Sequence, residues 1–179
     1  AENASGGAPA CESMWTGAHV HICHVSTARS VEIIRKMKKK GIHITCETCP
    51  QYFTLTEDEV LVQGSLARVN PPLRTAQDVK GIIAGLKDGT IDAIATDHAP
   101  HSAEEKARPL VRAPSGMIGL ETSLAITLTQ LYHTGKMELP EIIRRMSTNP
   151  SDILHLPKGR MSLGVDGDLT IFDPNEEWT

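Results

Sequence analysis

Ile91-Asp92-Ala93-Ile94-Ala95-Thr96-Asp97-His98-Ala99-Pro100-His101 is the stretch around which the rest of the chain is read. It begins as a short apolar strand and ends in one carboxylate and two imidazoles. Such groups at the mouth of a strand suit the holding of a metal or the movement of a proton. An ordinary strand running into a polar loop has the same local pattern. The decision rests on whether the chain supplies matching parts.

Just upstream lies the clearest helical signal. Val79, Ile82, Ile83 and Leu86 recur at i, i+3, i+4 and i+7, Thr75-Ala-Gln-Asp78 is a start signal, and Gly89 a stop. Further back, Ala18 to Val25 reads as a strand, with Val20, Ile22 and His24 on one face and His19, His21 and Cys23 on the other. Ser26 and Thr27 can cap a helix to about Lys40, its apolar side carrying Val31, Ile34 and Met37 with Ile33 alongside, and Gly41 suits the position after it. A second strand follows from Ile42 to about Glu47. The connection from Thr48 to Arg74 is long enough to carry function or a small helix, for which Thr56-Glu-Asp-Glu59 offers a capping-box start. Asn70-Pro71-Pro72 is rigid extended chain.

Downstream, a polar loop from His98 to about Gly116 leads to a helix with Leu120, Leu124, Leu128 and Leu131 on one face. Pro140 fits the first turn of a helix over Glu141 to Met146, and Asn149-Pro150 can start a short one to His155. Gly164-Val-Asp-Gly167 is turn chemistry, and Asp168 to Phe172 reads as a strand of a different, β-type unit. Residues 1–16 read as a poorly ordered leader, 17–156 as the main α/β unit and 157–179 as the start of a C-terminal β segment. Strands alternating with helices imply a parallel sheet. Long loops only after the strands' C-terminal ends suit a TIM barrel, whereas a doubly wound sheet lacks its Gly-rich phosphate loop here. Three strands cannot close a barrel of eight. With both ends looking cut, the expectation is the later part of a larger fold.

The chain of 179 residues carries a formal net charge of −4, which argues against nucleic acid as the main partner. Its basic run, Lys36, Lys38, Lys39 and Lys40, is explained by a solvated helix face. No apolar stretch approaches a membrane span. Four cysteines (Cys11, Cys23, Cys46, Cys49) are too few and too irregular for a disulfide scaffold, so reduced thiols in a cytoplasmic protein are the simpler reading. Cys46-Glu-Thr-Cys49 has no second C-x-x-C to complete a zinc site, and Pro50 disfavours a redox pair.

His24 and Asp97 fall at the C-terminal ends of the first and third strands, with Asn70 and His101 on loops above them. All four are expected to converge on one face. His19 and His21, earlier in the strand, are expected to be structural or helix-facing, and His98 to support the loop.

From Gly17 onward the chain resembles the bacterial dihydroorotases of the metal-dependent amidohydrolase superfamily. The matching segments are His21-Ile-Cys-His-Val-Ser-Thr27, Cys46-Glu-Thr-Cys-Pro-Gln-Tyr52, Asn70-Pro-Pro-Leu-Arg74, Ala95-Thr-Asp-His-Ala-Pro-His-Ser102 and Ala113-Pro-Ser-Gly116. Residues 1–14 do not resemble the family helix expected there. The resemblance implies about strands 6–8 of a (β/α)8 barrel leading into a small β unit. It also implies a cytoplasmic zinc hydrolase, with one or two zinc ions, that interconverts N-carbamoyl-L-aspartate and dihydroorotate. By that resemblance His24 and Asp97 are metal ligands, Asp97 is also the catalytic acid/base, and Asn70, His101, Ser115 and Gly116 bind substrate. The expected partner is a small molecule, with neither nucleic acid nor membrane, and a homo-oligomer is compatible with the reading. The family's first-strand H-x-H, bridging lysine or aspartate and fifth-strand histidine have no match, and His19-Val-His21 does not replace them. An allantoinase or dihydropyrimidinase, or a non-catalytic scaffold of dihydroorotase type, remains the alternative.

Overall fold

The structure, a computed structural model, describes residues 15–177. Of the leader expected over residues 1–16, all but the last two lie outside the described residues, as does Cys11. Three parallel strands run in chain order: β1 (Val20–Ile22), β2 (Ile44–Thr48) and β3 (Ala93–Ile94). Val20 pairs with Ile44 and Ile22 with Cys46, while Glu47 pairs with Ala93 and Thr48 with Ile94. The parallel arrangement is the one that the alternation of strands and helices predicts. The paired segments are shorter than the apolar runs that announce them.

Helix α1 (Ala28–Lys39) joins β1 to β2, and its N-cap Thr27 accepts the Ser30 N–H. Between β2 and β3 come α2 (Pro50–Thr54), α3 (Glu59–Gln63), a 3-10 turn (Gly64–Ala67) and α4 (Ala76–Lys87), which Thr75 caps. The capping box expected at Thr56 does not form. Thr56 donates its hydroxyl to Asp58 at 3.2 Å, and α3 starts without a side-chain cap. A capping box appears instead on α5 (Ala103–Lys106), between Ser102 and Glu105. Helix α6 (Ser123–Thr127) continues as a π-helical turn through Leu128–Tyr132. Helix α7 (Leu139–Ile143) runs through a second π-helical turn, Arg144–Thr148, into α8 (Asn149–Ile153).

The core lies on one face of the sheet. Cys46 and Ile94 meet Val31 and Ile34 of α1, Ile82 and Leu86 of α4, Leu131 and Ile142, with Ile22 packed alongside. A second cluster, Cys49, Tyr52, Ala67, Val69 and Leu73, fills the space under the long connection after β2. Three further expectations fail. Leu120 precedes α6 and is 62% exposed, so the apolar face of that helix consists of its later positions, with Leu128 and Leu131 buried. Lys38 leaves the solvated run to pair with Asp92 at 2.5 Å. Asp168–Phe172 forms no strand and Ile171 is 94% exposed, because an extended segment needs a neighbouring backbone to bond and none of the described residues supplies it.

Candidate metal and substrate site

At the C-terminal ends of β1 and β3 the chain leaves strand geometry abruptly. His24 has φ 57° and Asp97 φ 48°, left-handed values uncommon for residues with a side chain. Simple alternation would keep His24 on the face of Val20 and Ile22, which is the face that packs on helices. The left-handed turn rotates it out of that series and over the end of β2. There its Nδ1 lies 3.0 Å from Glu47 Oε1 and its Nε2 lies 3.7 Å from Asp97 Oδ1. Gln51 Nε2 donates to Asp97 Oδ2 at 3.4 Å, and Cys49 Sγ sits 3.6 Å from His24 Nδ1.

His24, Cys49 and Asp97 each bring a ligand atom within 4.8 Å of the others. Imidazole nitrogen and carboxylate oxygen are the donors zinc takes in hydrolytic sites, so the donor set fits such an ion. Cys49 fits it less well: burial, with the nearby Glu47 and Asp97 charges, pushes its thiol up and keeps it protonated. Burial opposes ionisation of Glu47, but hydrogen bonds from His21 and His24 outweigh it and hold the carboxyl down at about 2. Glu47 is therefore an anion throughout the neutral range. Its hydrogen bond is in turn the main cause raising the pKa of His24, against burial and with help from Asp97.

His19 and His21 face away from the helices, which corrects the helix-facing alternative. They share a face with Thr45, whose hydroxyl is 2.8 Å from His19 Nε2 and 2.8 Å from His21 Nδ1. His21 Nε2 reaches Glu47 at 3.4 Å. Because β1 and β2 are parallel and in register, His21 and Thr45 lie side by side on the face opposite the core.

His101 belongs to a second group. Its Nε2 donates to the Ser115 carbonyl at 3.1 Å, and a Cβ built on Gly116 would stand 3.0 Å from that nitrogen and 2.7 Å from Ala99. Gly116, at φ 146°, donates its N–H to the Arg68 carbonyl at 2.9 Å, two residues before Asn70. Asn70 is exposed, and the peptide joining it to Pro71 is cis. The structure thus joins His24 to Asp97 and His101 to Ser115–Gly116, and it ties Asn70 to the latter group through the backbone. His98 is a latch, its Nδ1 accepting the N–H groups of Gly119 and Leu120 at 3.0 and 3.2 Å.

Sequence reasoning missed Glu47 and Gln51 as site residues. Both lie in the Cys46–Tyr52 segment, which draws attention for its thiol spacing. The usable signal was a carboxylate at the last polar-face position of β2, at the same sheet end as His24 and Asp97. Cys46 and Cys49 are buried free thiols, and burial pushes Cys46 up to about 12.

The chain is 49% identical to a dihydroorotase of Acetivibrio thermocellus over 93% of its own length and 39% of that protein's. With a dihydroorotase of Anaplasma phagocytophilum the identity is 46%, over 91% of this chain and 36% of the other. It therefore spans less than two fifths of the length of these relatives. Among solved structures, the L-hydantoinase of Arthrobacter aurescens superposes with a TM-score of 0.88 at 29% identity, covering 93% of this chain and 38% of that one. Dihydropyrimidinase of Brevibacillus agri gives 0.84 at 26%, covering 94% and 39%. A family model, the amidohydrolase family, matches residues 7–179, so the chain belongs to the amidohydrolase family.

Proposed function

We propose that this chain is the C-terminal part of a dihydroorotase, carrying about strands 6–8 of its barrel, which interconverts N-carbamoyl-L-aspartate and (S)-dihydroorotate in pyrimidine biosynthesis. The observation that carries the reading is the convergence of His24 and Asp97, at the ends of two parallel strands, within a chain 46–49% identical to dihydroorotases. The structural likeness to hydantoinases, at 26–29% identity, speaks for a shared fold and more weakly for a shared substrate. A scaffold that had lost catalysis would have no need of two left-handed residues holding ligand groups face to face.

His24 through Nε2 and Asp97 through its carboxylate would hold zinc, with the remaining ligands coming from the part of the relatives that this chain does not span. Bound zinc supplies hydroxide near neutral pH and polarises the ring carbonyl. Glu47 fixes His24 with its proton on Nδ1, leaving Nε2 as the donor atom. In hydrolysis, a water oxygen adds to the ring amide carbon and the ring C–N bond breaks. Asp97 takes the proton of the attacking water and returns it to the departing nitrogen, so the carboxylate ends as it began. His101 has Nε2 committed to Ser115 and presents Nδ1 to the substrate, while Asn70 offers amide donors and acceptors to the ring. Gly116 contributes clearance, since a side chain there would strike His101.

The test is Asp97→Asn in the full-length protein, assayed on dihydroorotate, hydantoin and allantoin. Turnover of dihydroorotate should dominate and fall by about 10²–10⁴ in the variant. Near-normal activity of Asp97→Asn would remove the acid/base assignment. A preference for hydantoin or allantoin would replace the substrate.

A further inference from the structure

Lys106, the last residue of α5, is only 6% exposed although it is a lysine. Its ammonium makes no ion pair with a carboxylate among the described residues. It donates to three backbone carbonyls instead: Gly116 at 2.8 Å, Pro114 at 3.2 Å and Arg68 at 3.2 Å. A lysine has three donors, and all three are used here. The acceptors come from two separate segments. Pro114 and Gly116 flank Ser115, and Arg68 lies two residues before Asn70.

The surroundings fix the ammonium in place. The Ser102–Glu105 capping box rigidifies the short helix that carries it, and the Ser65 hydroxyl donates to the Lys106 carbonyl. Arg68 adds a second clasp, with Nε on Ser115 Oγ at 3.2 Å and Nη1 on the Leu110 carbonyl. Burial, and then the nearby Arg68 charge, lower the lysine's pKa, so the site bears a cost for holding a cation. Such a cost without an anionic partner is met only by good carbonyl geometry.

We propose that Lys106 is a positioning residue for substrate binding: its ammonium ties the Asn70 segment to the Ser115–Gly116 loop and so sets the spacing of the groups that face the substrate. The inference rests on the reading above, in which Asn70, His101 and Ser115–Gly116 form the substrate face. It assigns no role at the metal, because Lys106 contacts neither His24 nor Asp97. Loss of the ammonium leaves three carbonyls to find new partners and frees the two segments to move apart. Binding should then suffer more than chemistry.

The experiment uses the full-length protein and the variants Lys106→Met and Lys106→Gln, with KM, kcat and zinc content measured for each. For Lys106→Met the expected result is a KM raised at least tenfold, with kcat within about threefold and zinc content unchanged. Lys106→Gln, which keeps donors but no charge, should lie between it and wild type. This second variant also serves should the methionine variant fail to fold. The readout that a merely structural role would not move is the split of KM from kcat, measured on variants whose unfolding midpoint and zinc content are checked in parallel. An unchanged KM in the folded variants, a fall in kcat alone, or a loss of zinc would overturn the inference. The wild type decides the underlying reading separately. If it prefers hydantoin to dihydroorotate, that reading fails, and the KM for hydantoin then tests Lys106 by itself.

Discussion

The two residues on which the site turns, His24 and Asp97, are held in a backbone conformation that side-chain-bearing residues avoid. A cost of about 1–3 kcal/mol attaches to such positions, and it persists only where the surroundings over-determine it. At His24 the determinant is Glu47, 3.0 Å from Nδ1 and itself held by His21. Removing that acceptor should leave the imidazole free to rotate. In the full-length protein, Glu47→Gln is therefore expected to weaken zinc about 10–100-fold with the fold intact, as titration with a competing chelator would measure. An unchanged zinc affinity would show that Glu47 does not orient His24. Asp92 is a comparable node in the scaffold. Its carboxylate accepts from Lys38 Nζ at 2.5 Å and Cys46 N–H at 2.8 Å, and its carbonyl accepts from Asn149 at 2.7 Å. Asp92→Ala strands a buried β2 amide and should cost about 1–3 kcal/mol in urea unfolding.

Between elements, α1 and α4 approach each other closely. A Cβ on Gly81 would fall 2.4 Å from Ala28 Cβ and 2.7 Å from its Cα, and Asp78 of α4 caps the Ala28 N–H at 2.9 Å. In an isolated helix Gly→Ala would gain about 1 kcal/mol. Here the clash involves backbone, so Gly81→Ala should instead destabilise by about 1–3 kcal/mol, read from the denaturation midpoint. A stabilised variant would mean the two helices can separate freely. The far end of α4 offers a pH test. Burial works against ionisation of Asp88, but the Thr90 contacts and the Arg35 guanidinium outweigh it and hold the carboxyl below its ordinary 3.8. A depressed carboxyl stabilises the fold above that ordinary value and loses its effect as pH falls through the folded value. Asp88→Asn should therefore be less stable than wild type at pH 6–7, by at most about 1 kcal/mol because the pair is partly exposed. The difference should close as the pH falls through the carboxyl's lowered folded value. A gap that stayed constant with pH would rule out the charge as its cause.

At the scale of the molecule, the sheet has one face packed on helices and one polar face carrying His19, His21, Thr45 and Glu47. Among the described residues, His24 and Asp97 are the imidazole and carboxylate that face each other at the site, where hydrolytic zinc sites use three protein ligands. The purified 179-residue chain is expected to hold zinc much more weakly than the full-length protein and to show no measurable turnover of dihydroorotate. Robust turnover by the chain alone would overturn that. Much of this was legible in the residues. Period-3.6 apolar spacing located α1 and α4, Thr27 and Thr75 marked their starts, and the alternation with β-branched runs made the strands parallel. Aspartate and histidines after strand ends pointed to the site, because side-chain chemistry and local periodicity are properties of short segments. What the segments could not contain was anything that depends on distance between them. Alternation put His24 on the helix face, and only the left-handed turn brings it to Asp97. Glu47 stands beside His24 because of the register of β1 on β2. No local pattern singles out Lys106; only the fold brings the carbonyls of Arg68, Pro114 and Gly116 around its ammonium. Residue type and spacing determined which groups this protein has to work with. The backbone conformation at two strand ends and the contacts between distant loops decided which of them meet.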